Sequence, residues 1–384
     1  MVDPALIATA ERAAASGDLA AALTLLKQAA AAAPTDVQLQ LKLAAISKAA
    51  GQPRVALAAV HQALAQSPLD FVALVLRASL LEALGDDGAG EAWSNALAQR
   101  PDGDLPAPLA AAVAKGEALR DAWLAARETR MEQGMAAAVA RADPDQQWRI
   151  ARFRSNVLRK TKSFHSQPTH FDYPGLVERE FHPRDSFPWL AELEAATDTI
   201  AEELAAVMAA ERAELVPYIQ YAAHEPLDQW RDLNQNRDWT AIHLWRNGQR
   251  VEANARHCPR TMALLEAFPQ PAIPGAGPNA MFSLLAPNTA IPPHVGVNNA
   301  RLVCHLPLIV PAGCWFRVGA ETRDWRRGEA FVFDDTIEHE AMNPSGELRV
   351  VFIFDIWHPG LSPVEREAVA ALIAAEAPAE GTAL

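Results

Sequence analysis

Cysteine is scarce in this 384-residue chain, which has three: Cys258, Cys304 and Cys314. No two of them form a Cys-x-x-Cys pair, so neither a disulfide framework nor a cysteine-rich zinc site is expected. Long hydrophobic runs are also missing, because no stretch of about 18 residues is both apolar and uncharged, and no transmembrane helix is expected. The first residues lack the basic start and apolar run of a signal peptide. A cytoplasmic location is the simplest expectation.

Positive charge is in deficit. The chain has 34 Lys and Arg against 47 Asp and Glu, which gives a formal charge of −13. A chain with this balance is not attracted as a whole to nucleic acid or to anionic lipid, and no nucleic-acid partner is expected. Half of the residues are apolar, which suits a soluble globular protein, and the length predicts two or three domains.

The first 130 residues lack runs of Ile, Val and aromatic residues and are rich in Ala and Leu, which predicts helices. Three residue types recur there at intervals of 33 or 34 residues: Gly17, Gly51 and Gly85, then Pro34, Pro68 and Pro101, and also Ala10, Ala44 and Ala78. Each Gly fits a turn between two helices, each Pro ends a helix, and each Ala lets two helices approach closely.

A helix–turn–helix period of 34 residues resembles the tetratricopeptide repeat, over about residues 3–101. An accidental repeat in an Ala-rich helical bundle is the alternative. We therefore predict a helical repeat domain over residues 1–130 and a helical connector over 131–164. Stacked repeats form a concave surface, so a protein partner is expected there. Basic residues crowd into positions 149–162, where a solvated helix face is favoured over a phosphate-binding patch.

From residue 165 onward Pro, Trp and Phe become frequent, and short apolar runs alternate with turns of Gly, Pro and Asn. Such runs are typical of a β-sandwich or barrel, of which the double-stranded β-helix, or jelly roll, is one form. The predicted strands cover residues 241–245, 280–285, 302–310, 315–318, 330–333 and 349–356. Residues 191–212 are predicted as one long amphipathic helix. The predicted fold class is α+β multidomain, with the jelly roll over 165–362 and a C-terminal helix and tail over 363–384.

Two histidines and an arginine stand out in this second half. His294 follows Pro292 and Pro293, which stiffen the backbone before it. His339 lies 45 residues further on, after a loop that opens with two aspartates. Arg349 lies in the apolar run RVVFIFDIW, where a positive charge is costly unless an anion meets it. The sequence therefore places two histidines on separate strands, with a buried cation ten residues beyond the second.

This arrangement resembles that of jelly-roll oxygenases, in which the two histidines bind Fe(II) and the arginine grips the distal carboxylate of 2-oxoglutarate. The usual third ligand, an Asp or Glu two residues after the first histidine, is replaced by Gly296. Members of the aspartyl/asparaginyl β-hydroxylase family have Gly at that position, and three segments resemble the core of this family: PHVGVNNARLVCHLPLIVP, GCWFRVGAETRDWRRGEAFVFDDTIEHEAMN and RVVFIFDIWHP. The resemblance covers roughly residues 165–360.

The resemblance implies a role for each matched residue. His294 and His339 would bind Fe(II), with water in place of a third protein ligand, and the reaction would consume 2-oxoglutarate and O₂. Arg349 and Ser283 would hold the C5 carboxylate of 2-oxoglutarate, and His305 would contact its C1 carboxylate. The last two matched residues are Arg301, which would face an acidic end of the co-substrate or an acidic substrate, and Trp245, which would border the pocket.

By this resemblance the chain is a dioxygenase that hydroxylates an unactivated C–H bond, with the β-carbon of Asp or Asn in a peptide or protein as the favoured target. Animal members that act on protein side chains have a basic residue where this chain has Val303. A lipid acyl chain or a small acid is therefore the alternative substrate. A non-catalytic tetratricopeptide adaptor with a silent jelly roll is the second alternative. No motif specifies the carbon attacked or the oligomeric state.

Overall fold

The computed structural model describes residues 4–210, 215–220, 224, 229, 231 and 234–376. The chain divides into two compact units, Met1–Arg154 and Ser155–Leu384. The domain boundaries expected after residues 130, 164 and 362 stay predictions, because compactness alone does not separate a connector from the domains on either side. Within the described ranges, no helix is both long and apolar enough to cross a membrane.

The first unit is helical. Six of its helices pack in successive pairs: α1 (Pro4–Ala15) with α2 (Leu19–Ala32), α3 (Val37–Ala49) with α4 (Pro53–Gln66), and α5 (Phe71–Ala83) with α6 (Ala89–Leu97). They are followed by the long helix α7 (Ala107–Val139) and by α8 (Pro144–Val157). This succession of helix pairs confirms the predicted helical repeat.

The recurring residues explain why the pairs form. The turn inside each pair contains a glycine with a φ of 85°, 71° and 67° respectively: Gly17, Gly51 and Gly85. The small residues of the repeat are fully buried, where the helices cross closely: Ala10, Ala44 and Ala78. Aspartates cap the starts of α2, α3 and α5, because their side chains accept a hydrogen bond from a backbone N–H in the first turn: Asp18, Asp36 and Asp70.

The second unit combines helices with two sheets. Its helices are α9 (Leu190–Ala195), α10 (Thr197–Met208), α11 (Glu252–Ala255), α12 (Pro259–Ala267) and α13 (Pro363–Glu376), with a 3-10 turn at Arg184–Ser186. Its strands are β1 (Val216–Pro217), β2 (Trp239–Arg246), β3 (Gln249–Arg250), β4 (Ala280–Leu285), β5 (Thr289–His294), β6 (Arg301–Ile309), β7 (Trp315–Val318), β8 (Glu321–Asp324), β9 (Phe331–Phe333), β10 (His339–Asn343) and β11 (Arg349–Trp357).

The single long helix predicted over residues 191–212 is wrong. Two helices, α9 and α10, occupy this region and are separated at Ala196. The Thr197 hydroxyl donates to the Glu194 carbonyl oxygen at 2.6 Å, and hydroxyl-to-carbonyl bonds of this kind often bend helices. The Glu194 carboxylate also accepts from the Ala330 backbone N–H at 2.8 Å, which ties the break to the sheet. Residues 211 and 212, and residues 377–384 of the predicted tail, lie outside the described residues.

The strands form two antiparallel sheets. The larger has the order β1-β2-β4-β11-β6-β9, with β3 paired to β2, and the smaller has the order β5-β10-β7-β8. Alternate residues along a strand face opposite sides of its sheet. One side of the larger sheet packs against α9, α10 and α12, and the other side faces an aromatic-rich core that it shares with the smaller sheet. This two-sheet arrangement confirms the predicted jelly roll and the α+β multidomain class.

Candidate active site

The two predicted metal ligands meet between the sheets. His294 ends β5 and His339 begins β10, and the two residues lie directly opposite each other in the antiparallel pair. Their ring centroids are 4.1 Å apart, and both residues are buried. The fold therefore brings together two imidazoles that are distant in sequence.

Backbone carbonyls fix the orientation of both rings. His294 Nδ1 lies 2.8 Å from the Pro292 carbonyl oxygen, and His339 Nδ1 lies 3.0 Å from the Ile337 carbonyl oxygen. A carbonyl oxygen only accepts, so each Nδ1 carries the hydrogen, and in a neutral ring the lone pair is then on Nε2. Burial, together with His339, lowers the pKa of His294 to about 3, and burial lowers the pKa of His339 to about 4. Both rings are neutral near pH 7, which is the form that binds metal ions.

Arg349 is a buried cation that pairs with no carboxylate among the described residues. It is 1% exposed, and its Nη1 contacts two neutral oxygens of Ser283, the carbonyl at 3.3 Å and Oγ at 3.4 Å. Its Nε has no hydrogen-bond partner within the described ranges, and its guanidinium lies 4.5 Å from the centroid of the Trp325 ring. Burial lowers the pKa of Arg349 to about 9. A cation in these surroundings is stabilised when an anion binds beside it.

Trp239 and Tyr218, which no sequence motif singled out, lie next to Ser283 and His294 and complete this side of the site. Trp239 on β2 donates from Nε1 to Ser283 Oγ at 3.1 Å, and its ring lies 5.9 Å from that of His294. The Tyr218 ring stacks on Trp239 with centroids 4.0 Å apart. Alternation along β2 places Trp239 and Ala241 on the side that faces the smaller sheet, so strand periodicity is the signal that identifies Trp239.

His305 lies on β6 with its ring in the aromatic-rich core. The centroid of its ring is 5.1 Å from that of Phe316 and 4.8 Å from that of Phe333. Burial holds the pKa of His305 well below its usual value, and Arg349 and then His339 lower that pKa further. Its Nδ1 is buried with no hydrogen-bond partner in the part of the chain that the structure describes. His305 is therefore a neutral ring with an unsatisfied polar atom, close to both Arg349 and His339.

Arg301 engages two carboxylates. Its Nη2 lies 3.0 Å from Asp335 Oδ2, and its Nη1 lies 3.2 Å from Asp355 Oδ1. The Asp335 carboxylate also packs against Gly296, where a Cβ would lie 2.3 Å from Oδ2. Gly296 is therefore required at the position where a third ligand is usual, since the space of its side chain is taken by Asp335.

Trp245 does not lie with His294, His339 and Arg349. It packs against the core cluster between the larger sheet and the helices, whereas His294, His339 and Arg349 surround the other core. A register shift in β2 between His243 and Trp245 contributes to this placement. The role of Trp245 beside the pocket stays a prediction.

The residues present fit a metal ion that keeps open coordination positions. No group of three or more His, Cys, Asp or Glu converges in metal-binding geometry within the described ranges, so the two imidazoles are the donors that the fold offers. Two neutral nitrogen ligands suit a first-row transition metal that binds other ligands from solution. The buried guanidinium and Ser283 suit a carboxylate of such a ligand.

Fold and site together define a jelly-roll domain with a histidine pair in the same core as a buried arginine. Residues 194–359 match the family model described as Aspartyl/Asparaginyl beta-hydroxylase. The human protein of that name is 37% identical over 147 residues, which cover 38% of this chain and 19% of the human protein. Aspartate beta-hydroxylase domain-containing protein 2 of Xenopus tropicalis is 30% identical over 213 residues, which cover 54% of this chain and 55% of that protein.

The match to the aspartyl/asparaginyl β-hydroxylase family covers most of the second unit, and the resemblance seen in the sequence is confirmed. The chain spans between a fifth and about half of the length of these two relatives. For the helical part, the Sgt2 TPR domain of Aspergillus fumigatus is a similar solved structure, with 23% identity, a TM-score of 0.28, and coverage of 32% of this chain and 80% of that domain.

Proposed function

We propose that this protein is an Fe(II)- and 2-oxoglutarate-dependent dioxygenase that hydroxylates the β-carbon of Asp or Asn in a peptide or protein. The observation that carries the proposal is the buried Arg349, which pairs with no carboxylate among the described residues and lies in the same core as two neutral histidines. The family match over residues 194–359 supports the reaction type.

The contacts support a role for each residue of the site. His294 and His339 would hold Fe(II) through Nε2, because their Nδ1 atoms face backbone carbonyls. When bound, the metal and 2-oxoglutarate supply the activation of O₂ for C–H hydroxylation. Arg349 would bind the distal carboxylate of 2-oxoglutarate, and the Ser283 hydroxyl would donate to the same carboxylate. His305, near Arg349 and His339, would donate from a ring N–H to the carboxylate at the other end.

The protein's own contribution is to position these groups and exclude water. Aromatic rings surround the histidines and His305, with Phe316 and Phe333 packed against His339 at centroid distances of 5.9 and 5.3 Å. A dry, low-dielectric wall strengthens the interaction between Arg349 and a dicarboxylate. We further propose a cytoplasmic location and a peptide or protein partner for the concave side of the helical repeats.

The test is a succinate-release assay with Fe(II), 2-oxoglutarate, O₂ and peptides that contain Asp or Asn. Succinate release is expected from the wild-type protein and is expected to be abolished by His294→Ala or His339→Ala. A mass increase of one oxygen atom in the peptide identifies the proposed reaction, whereas the same increase in a lipid or small acid identifies the alternative substrate. Failure of the wild-type protein to bind 2-oxoglutarate would leave only the silent-adaptor hypothesis.

A further inference from the structure

One short segment of the second unit contacts both loops that carry the histidines. We term this segment, residues 166–171, the strap. Its Thr169 N–H donates to the Gly296 carbonyl oxygen at 3.1 Å, and the next two N–H groups of the strap donate to the Val297 carbonyl oxygen at 3.1 and 3.0 Å. These acceptors lie two and three residues after His294. The strap is therefore bonded to the chain that leaves the first histidine.

The start of the strap is bonded to the loop before the second histidine. The Gln167 N–H donates to the Thr336 carbonyl oxygen at 2.8 Å, and Ser166 Oγ lies 2.7 Å from Thr336 Oγ1. Thr336 is fully buried and lies three residues before His339. Both histidine loops are therefore attached to the same short segment.

The bond between the two hydroxyls has a defined direction. The Asp334 carboxylate accepts from the Thr336 N–H and from the Thr336 hydroxyl. Because the hydroxyl hydrogen of Thr336 is used in this way, its Oγ1 is the acceptor for the Ser166 hydroxyl. The turn held by these bonds leads directly to Ile337, whose carbonyl oxygen faces His339 Nδ1 at 3.0 Å. The Ser166 bond therefore restrains the loop that orients the second imidazole.

The strap has anchors other than the two loops. The Glu178 carboxylate accepts from the Ser166 N–H at 3.0 Å. Phe164, two residues before the strap, packs against the aromatic-rich core between the sheets. Because the strap is held by these contacts as well, its bonds limit the movement of the loops.

We infer that the strap is a positioning element for the metal site, in which Ser166 and Thr336 hold the His339 loop in place before a metal ion binds. This inference rests on the proposed function, because it takes the histidine pair as metal ligands. Two protein ligands give little binding energy, so ordering of the loops during binding would consume much of it. A strap that orders the loops in advance leaves more of that energy as affinity.

Calorimetric titration of the metal-free full chain with Co(II) tests the inference. Ser166→Ala is expected to raise the Co(II) dissociation constant about threefold to tenfold, and Thr336→Val at least about tenfold. Thr336→Ser keeps the hydroxyl and is expected to restore the dissociation constant to within about twofold of the wild type. Ser166 is half-buried, so Ser166→Ala decides the question if Thr336→Val does not fold.

Thr261→Val is the matched control. Thr261 is as fully buried as Thr336, and its hydroxyl also donates to a buried carboxylate, that of Glu203, at 2.7 Å. It lies on α12, which packs on the opposite side of the larger sheet from the histidines. Loss of either threonine hydroxyl is expected to lower the melting temperature of the second unit by about 2–4 °C. Only the loss at Thr336 is expected to weaken Co(II) binding.

Proton NMR of the Co(II)-loaded protein reports on the position of the ligands. Both histidine Nδ1 atoms carry a hydrogen, so two exchangeable signals shifted by the paramagnetic ion are expected. Thr336→Val is expected to move one of them, and Thr261→Val to leave both in place. Unchanged Co(II) binding in the variants at Ser166 and Thr336, or an equal loss in Thr261→Val, overturns the inference and leaves the proposed function intact. Failure of the wild-type protein to bind Co(II) overturns both.

Discussion

The carboxylate of Asp335 lies where a side chain on residue 296 would be: a Cβ on Gly296 would be 2.3 Å from Asp335 Oδ2. We predict that Gly296→Ala lowers the free energy of unfolding of the second unit by about 1–3 kcal/mol through overpacking. The penalty is expected to disappear in an Asp335→Ala background, because the clash is then removed. Urea unfolding of the two single variants and the double variant measures this coupling.

The control for this cycle is Gly346→Ala, because a Cβ there meets nothing within 4 Å. Its effect on the free energy of unfolding is expected to stay within about 0.5 kcal/mol. If Gly296→Ala lowers the free energy of unfolding equally in the wild-type and Asp335→Ala backgrounds, the contact between residue 296 and the Asp335 carboxylate is not what makes Gly296 necessary.

The second prediction concerns the buried guanidinium. Arg349→Met is expected to weaken 2-oxoglutarate binding at least about a hundredfold, since a buried charged partner contributes several kcal/mol to binding. Without ligand, the same variant is expected to be as stable as the wild type or up to about 2 kcal/mol more stable, because a buried charge without a carboxylate partner is removed. Calorimetry and urea unfolding measure the two effects, with the exposed Arg326→Met as control. Tight 2-oxoglutarate binding by Arg349→Met would contradict the anion site.

The third prediction isolates the hydrogen bond between Trp239 and Ser283. Trp239→Phe keeps an aromatic ring beneath Tyr218 but removes the Nε1 donor that holds Ser283 Oγ at 3.1 Å. The dissociation constant for 2-oxoglutarate is expected to rise about threefold to tenfold, in line with about 0.5–1.5 kcal/mol for a hydrogen bond. The double variant Trp239→Phe/Ser283→Ala is expected to have the same dissociation constant for 2-oxoglutarate as Ser283→Ala alone. Additive losses in the double variant would show that the two residues act separately.

The fourth prediction is a pH dependence at a histidine away from the site. Burial, and then His358 and Arg179, lower the pKa of His182 from 6.5 to about 3. The unfolded state therefore binds a proton below pH 6.5 that the folded state does not, so the free energy of unfolding falls as the pH decreases from 6.5 toward 3. His182→Phe is expected to lose the contribution of His182, about 1.4 kcal/mol for each pH unit below 6.5, while the buried His294, His305 and His339 keep theirs.

Urea unfolding of the second unit at pH 7 and at pH 5.5 measures this difference. The wild-type protein, unfolded at the same two pH values, is the reference for this comparison. An unaltered pH dependence in His182→Phe would show that His182 is not the group responsible.

The fifth prediction compares two glycines of the same helix, α7. A Cβ on Gly116 would lie 2.2 Å from the fully buried Trp93 ring, whereas a Cβ on Gly134 would meet nothing within 4 Å. Gly116→Ala is expected to lower the melting temperature of the first unit, at a cost of about 1–3 kcal/mol. Gly134→Ala is expected to raise it, because Ala favours a helix over Gly by about 0.5–1 kcal/mol. Thermal unfolding followed by circular dichroism tests both, and equal effects would refute the packing argument.

Local periodicity predicted much of the fold. The 34-residue recurrence of Gly, Pro and Ala encodes the helix pairs directly, because each residue type acts on its own turn or crossing. The run RVVFIFDIW likewise indicates a buried strand, since apolar residues fill both of its faces. The same pattern indicates that the charge of Arg349 is buried with them. The strand β5 is harder to recognise, because it contains Pro292 and Pro293; it is tolerated at the edge of the smaller sheet, where fewer N–H donors are needed.

Contacts between distant segments could not be predicted in the same way. The pairing of Arg301 with Asp335 joins a strand to a loop 34 residues further on and depends on how the sheets close. No local pattern encodes that distance, and for this reason the sequence suggested an acidic partner for Arg301 from solution, whereas the structure provides two within the chain. Trp245 is a second example. Strict alternation along β2 from Trp239 would place Trp245 on the side that faces the smaller sheet, but a register shift between His243 and Trp245 changes the alternation.

The lack of a carboxylate partner for Arg349 among the described residues would couple anion binding to folding. An anion that binds the folded domain and not the unfolded chain raises the stability of the domain in proportion to the logarithm of its concentration. For the dicarboxylate site proposed above, the free energy of unfolding of the second unit would therefore rise with the concentration of 2-oxoglutarate.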